Sequence, residues 1–206
     1  MNWELFIAFC GASAILGLIP GPAIGAISSV GLAHGTRAAM IAVAGGLCAA
    51  AVHMILVVAA TASLFLFLEA WMPYIRWLGV AYLLYLGVQS FRAASSAPDA
   101  AKIEPPNQGA LFLRGFVASA TNPKALGFIA VFFPLFVDPM LPVGPQIAVM
   151  SASYLAILIV IDCGWGVLSG TGNVMFQSAH ADKIKARVSG SVLIFAAAGL
   201  ATVRTG

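Results

Sequence analysis

The stretch GLIPGPAIGAI, Gly17 to Ile27, sets two prolines around a glycine inside an otherwise apolar run. Pro20 and Pro22 lack a backbone N–H, so neither can bond to the carbonyl four residues earlier. A helix through this stretch leaves the carbonyls of Leu16 and Leu18 without helical partners, and Gly21 loosens the backbone between them. In a water-soluble chain the triplet would mark a turn. The surroundings decide otherwise.

Of the 206 residues, 61% are hydrophobic and 8% are charged. Soluble domains carry about a quarter charged residues, so this chain cannot cover a water-facing surface. An integral membrane protein, with the lipid bilayer as its solvent, is the class that fits. The net charge of +3 needs no nucleic-acid partner, because basic residues are expected at cytoplasmic membrane faces. The sequence has no Gly-rich phosphate loop and no dense basic patch. Cys10, Cys48 and Cys163 are odd in number, and their spacing fits no metal or disulfide pattern. They read as buried small hydrophobes. No cofactor, no metal and no catalytic residue is expected. No positive segment precedes the first apolar run, so that run reads as a retained span and not a cleaved signal peptide.

Apolar runs long enough to cross about 30 Å of hydrocarbon at ~1.5 Å per residue fall in six places. They lie near residues 4–30, 38–68, 72–92, 111–137, 143–170 and 187–204. The stretch SSAPDAAKIEPPNQG, Ser95 to Gly109, is the one soluble-looking connection. The fold expected is an all-α membrane protein of six transmembrane helices in two inverted three-helix repeats. It forms a single polytopic domain over 1–206, with repeat one 1–94, linker 95–109 and repeat two 110–206.

Orientation follows from the basic residues. Seven of them (Arg37, Arg92, Lys102, Arg114, Lys183, Lys185 and Arg187) fall in connections after the odd-numbered spans, against Arg76 and Arg204 on the other side. The positive-inside rule then puts both termini outside. The first half begins with a span broken at Pro20-Gly21-Pro22, and the second with one broken at Asn122-Pro123-Lys124. Breaks at matching places in inverted halves are a sequence pointer to a transporter's binding site.

Pro123 cannot donate to the Ser119 carbonyl, so a second unpaired acceptor is expected there. Asn122 and Lys124 could not share a face of a straight helix. If Pro123 unwinds the backbone, both can turn toward one cavity. The plain alternative is a kink with Lys124 snorkelling to the interface. A lysine near the centre of a span costs at least about 3 kcal/mol, which favours the cavity. His53 and Asp162 occupy matching spans of the two halves, and Tyr154, Leu158, Asp162, Trp165 and Ser169 form a half-polar helical stripe. An acid at such depth must find a partner or a proton. Asp162 is therefore the candidate for proton coupling, with a structural hydrogen bond as its alternative. His53 reads equally as a proton relay or a satisfied structural histidine. Glu4 and Asp138 read as solvated ends. The small residues of AVAGGLCAAAV, Ala42 to Val52, mark a helix packed at the bundle centre. Trp3, Trp71 and Trp77 suit an interfacial belt.

Taken as a set, these motifs resemble the LysE/RhtB family of bacterial amino-acid exporters. The resemblance rests on Pro20-Gly21-Pro22 followed by Gly31, Gly35 and Gly45. It continues through GVAYLLYLG (Gly79 to Gly87), Phe112, Gly115, Asn122-Pro123-Lys124 and FFPLFVDP (Phe132 to Pro139), and so covers nearly the whole chain. Ala23 and Leu135 stand where the family often has a polar residue, which bears on substrate identity. The resemblance implies export of small amino acids or related metabolites across the bacterial inner membrane, driven by protons, by a protein that is not an enzyme.

The expected substrate site therefore comprises Pro20, Gly21, Pro22, Asn122, Pro123 and Lys124. Free carbonyls would hold the substrate ammonium and Lys124 its carboxylate. Assembly into a homo-oligomer is compatible with this reading. A membrane-embedded hydrolase is one alternative, but no GxSxG or HExxH context supports it. An uncoupled channel or structural subunit is another, and it leaves the two matched breaks without a purpose.

Overall fold

A computed structural model describes residues 1–93 and 107–171, with Ser191, Ile194 and Ala198 as single positions. Most of the 95–109 linker and of the expected sixth span lies outside the described residues. So do Lys102, Lys183, Lys185, Arg187 and Arg204, and the side chains of Trp71, Arg76 and Arg92.

Every element among the described residues is helical: α1 (Trp3–Leu18), α2 (Pro22–Ala93), α3 (Gln108–Ala120), α4 (Pro123–Gly127) and α5 (Val143–Gly170). Between α4 and α5 the chain winds through a π turn, Phe128–Phe132, and a 3-10 turn, Phe133–Phe136. Asn2 caps α1 through its side chain, which accepts from the Leu5 N–H. The helix stops at Leu18, where Ile19 turns extended. Pro22 then opens α2 in the first helical turn, where its missing N–H costs nothing.

The connection expected between the first two spans is reduced to a kink. Helix α2 departs from helical geometry only at Gly35 (φ 81°, ψ 176°), a conformation that a side chain would strain. The boundary expected between residues 68 and 72 is not marked by a break, because the backbone stays helical to Ala93. Pro73, the breaker nearest that boundary, removes one N–H and can kink a helix without ending it. Among the described residues, Pro22–Ala59 and Val143–Gly170 are long and apolar enough to cross a membrane, and Gln108–Ala120 reaches that length only together with Pro123–Phe136, from which it is bent by 43°. Helix α1 is apolar but shorter.

Two contacts hold the helices around the breaks. Helices α2 and α3 meet backbone to backbone. A Cβ added at Gly45 would collide with the Phe112 carbonyl oxygen, and one at Gly115 with that of Ala42. The small-residue stretch is accordingly buried at Ala42, Val43, Ala49 and Ala50. On the other side, the fully buried Phe9 of α1 packs on Phe128, Phe133 and Phe136 at ring separations of 6.0, 5.2 and 5.7 Å. Phe128 stacks in turn on Tyr154 of α5 at 5.6 Å. This aromatic cluster ties α1 to the second half of the chain, next to both breaks.

Two sequence expectations need correction. The cysteines are free but not buried: Cys48 is exposed, and Cys10 and Cys163 are half-buried. Asp138 is more than a solvated end. Its carboxylate accepts from Asn2 Nδ2 (3.0 Å) and the Met140 N–H (2.9 Å). The buried Gln146 accepts from the Asp138 N–H and donates to the Asp138 carbonyl. These bonds join the N-terminus to the turn before α5 and hold the Asp138 carboxyl below its ordinary range, with the Asn2 bond the largest cause.

Candidate functional site

The two breaks differ in construction. At the first, Pro20 leaves the Leu16 carbonyl without a helical donor, and the Ile19 carbonyl lies past the last helical residue. At the second, α3 tightens before it ends: the Thr121 N–H bonds to Val117 and the Asn122 N–H to the Ser119 carbonyl at 3.1 Å. The Ser119 carbonyl, expected to be open, is thus satisfied from within its own turn. Asn122 then caps α4, its Oδ1 accepting from the Lys124 N–H at 3.1 Å, with Pro123 in the first helical position.

The cap fixes where Lys124 points. Its ammonium crosses to the first break and donates to the carbonyl oxygens of Leu16 (2.8 Å) and Ile19 (2.6 Å). Both contacts have the length of charge-assisted hydrogen bonds. The C-terminal end of α1 also carries partial negative charge, which favours a cation there. Gly21 lies beneath the lysine, where a Cβ would sit 3.5 Å from both Cε and Nζ. That is ordinary van der Waals contact, so a methyl group at 21 would pack against the lysine stem.

A cavity of about 40 Å³ lies beside this contact. Its wall includes Ser13, Leu16 and Gly17 of α1, Ala23 and His53 of α2, Asn122 and Lys124 at the second break, and Tyr154, Leu158 and Asp162 of α5. Asp162 is 8% exposed, and no side chain among the described residues donates a hydrogen bond to it. It lies near enough to Lys124 for their charges to attract. The volume suits about three water molecules, which is less than a whole amino acid occupies.

The structure therefore brings Asn122, Lys124, Asp162 and His53 to one wall. Pro20, Gly21, Pro22 and Pro123 shape the backbone around the cavity and are not part of its lining. The half-polar stripe of α5 meets the cavity at Tyr154, Leu158 and Asp162, while Val160 on the opposite side is 74% exposed. Ser13 escaped the sequence reading. It is fully buried, and its hydroxyl has no hydrogen-bond partner among the described residues. The signal was present in the spacing: Ser13, Leu16, Gly17 and Pro20 fall on one helical face that leads to the break.

The profile of the LysE type translocators matches residues 14–204. The chain belongs to the LysE type translocator family. Among its relatives, the homoserine/homoserine lactone efflux protein of Salmonella typhimurium is 29% identical over 206 residues, which is 99% of each chain. An uncharacterized membrane protein of Vibrio cholerae is 28% identical over 82% of each chain. The leucine efflux protein of Klebsiella pneumoniae is 32% identical over 136 residues, covering 65% of this chain and 63% of its own. No solved structure shows a significant match. This translocator thus joins its family's sequence to a cavity that two interrupted helices line.

Proposed function

We propose that this translocator exports a small amino acid or a related metabolite across the cytoplasmic membrane in exchange for protons, with its substrate site at the cavity between the two breaks. The observation that carries this reading is the meeting of Asn122, Lys124, His53 and Asp162 around one cavity at the junction of α1, α2, α4 and α5. An amino acid presents an ammonium and a carboxylate, and the wall offers an acid, a base and backbone carbonyls within one small space. The names of the Salmonella and Klebsiella relatives point to homoserine, its lactone and leucine as the first compounds to try. Ala23 and Leu158 on the wall suit a neutral side chain better than a charged one.

Proton exchange is assigned to Asp162, which is 8% exposed and lies on the cavity with Lys124, with His53 as the second candidate. The two halves are proposed to be inverted repeats of three spans each, with both termini outside. That arrangement turns the two breaks toward each other from opposite sides.

Counterflow into proteoliposomes preloaded with unlabelled L-homoserine or L-leucine, tested against a panel of labelled amino acids, checks the substrate class. Accumulation of at least one labelled amino acid is the expected result. Flux that runs equally without preloaded substrate would point to a channel instead.

A further inference from the structure

At the first break a primary ammonium already sits on the backbone, and it belongs to the protein. Lys124 Nζ occupies the carbonyls of Leu16 and Ile19 at 2.8 and 2.6 Å. These acceptors sit at a broken helix end, where no backbone N–H among the described residues takes the Leu16 carbonyl. An ammonium has three donors, and two of Lys124's go to this pair. Nothing in the arrangement depends on the ammonium being attached to residue 124. Any R–NH₃⁺ entering from the cavity could make the same two bonds.

We propose that the Leu16 and Ile19 carbonyls are the ammonium subsite of the transported molecule, and that Lys124 keeps it closed until the substrate's own ammonium replaces it. The inference rests on reading the cavity as the substrate site and adds which group binds where and in what order. A zwitterion suits the exchange because it conserves the charge pairing. Its ammonium takes over the two carbonyls, and its carboxylate supplies a partner for the displaced Lys124. Asn122 anchors the backbone of Lys124 through the helix cap, so the movement is confined to the side chain. A molecule with the ammonium but no carboxylate would leave the displaced Lys124 with Asp162 as the remaining counter-charge on the cavity.

The tethered lysine competes at high effective concentration, so it sets a threshold that only a molecule bringing both groups passes easily. In this way Lys124 selects amino acids over simple amines without recognising any side chain. The 40 Å³ cavity is then the closed form, and the space opens when the lysine leaves.

The test uses purified full-length protein in detergent and compares two pairs of probes by calorimetry. L-leucine is paired with 3-methylbutylamine, its analogue without the carboxylate, and L-homoserine with 3-aminopropanol. In the wild-type protein the amino acids should bind much more tightly than the amines. In Lys124→Met the carbonyls stand open, and the ratio of amine to amino-acid affinity should rise about tenfold or more, the scale of one charge-assisted hydrogen bond. Lys124→Gln, whose amide can still reach the carbonyls, should shift the ratio the same way by less, and it serves if the Met variant does not fold. An unchanged or lower ratio, in wild-type protein that does bind an amino acid, overturns the displacement. Failure of the wild-type protein to bind either amino acid strikes instead at the reading of the cavity, and the inference falls with it.

Discussion

The Lys124 ammonium lies 2.6 Å from the Ile19 carbonyl oxygen and so bridges two helix breaks that stand far apart in the chain. It also donates to Leu16, the residue whose helical partner Pro20 removes. One side chain thus reads the state of both interruptions at once.

Pro20→Ala tests that link. The alanine N–H could bond the Leu16 carbonyl and so compete with Lys124 for one of its two acceptors. A charge-assisted hydrogen bond contributes about 1.5–3 kcal/mol, so export should fall by about tenfold or more while the amount of protein in the membrane holds. Transport per molecule, measured in proteoliposomes, checks this. Wild-type transport by the variant would mean that the first break serves packing alone.

The crossing of α2 on α3 should tolerate no side chain. Gly115→Ala would drive a methyl group into the Ala42 carbonyl, and Gly45→Ala one into that of Phe112. Both neighbours are backbone, so relief requires moving a helix. A loss of about 2 kcal/mol or more is expected for each, read as a lower unfolding midpoint in detergent. Gly144→Ala, where the added Cβ meets nothing within 4 Å, should not lower the midpoint, because alanine also favours the helix.

Asp138 gives a pH signature at the membrane surface. The Asn2 amide and the Met140 N–H hold its carboxyl below the ordinary value. A carboxyl lowered in the folded state contributes stability above the unfolded value of about 3.9 and loses it as pH falls through the folded one. Stability should therefore decline below about pH 4, and Asp138→Asn should flatten that decline. The group is partly exposed, so the effect is small and shrinks with added salt. Unfolding midpoints at a series of pH values, for both proteins, decide it.

What the sequence disclosed was local. Pro20 and Pro123 announced their breaks because a missing N–H acts within one turn, and Leu16 could be named as an open acceptor for that reason. The Ser119 carbonyl could not be judged the same way, because its donor is supplied by the tightened last turn of α3. Lys124 was legible as a buried cation in need of a partner. Its partners were not, since 108 and 105 residues separate it from Leu16 and Ile19. The sequence reading gave the free carbonyls to a substrate ammonium, and in the structure the chain's own ammonium holds them. Asn122 likewise looked like a ligand, while its Oδ1 is committed to capping α4. Gly45 and Gly115 could be noted in the sequence, but only the crossing shows that each faces a carbonyl of the other helix.

Reporter fusions test the orientation. By the positive-inside rule, the basic residues lead us to expect the 95–109 linker inside and both termini outside. A fusion at Gly206 should report the periplasm and one near Ala100 the cytoplasm. A cytoplasmic signal at Gly206 would overturn both the orientation and the count of six spans.

Asp162 is expected to carry the coupling to protons, and Lys124 explains how its charge would be felt. On the proposed reading, an ionised Asp162 would draw Lys124 across the cavity, away from the carbonyls of the first break. A proton on Asp162 would remove that attraction and leave the lysine on Leu16 and Ile19. Proton binding and closure of the ammonium subsite would then be linked, which is what exchange of a proton for a substrate requires. Asp162→Asn keeps the size of the side chain and removes the titration. The variant should lose export driven by an imposed pH gradient while keeping exchange of substrate for substrate, because exchange moves no net proton. Both activities can be measured in the same liposomes with and without the gradient. Gradient-driven export at the wild-type rate would reduce Asp162 to a fixed polar wall residue, and His53, on the same cavity, would be the next to change.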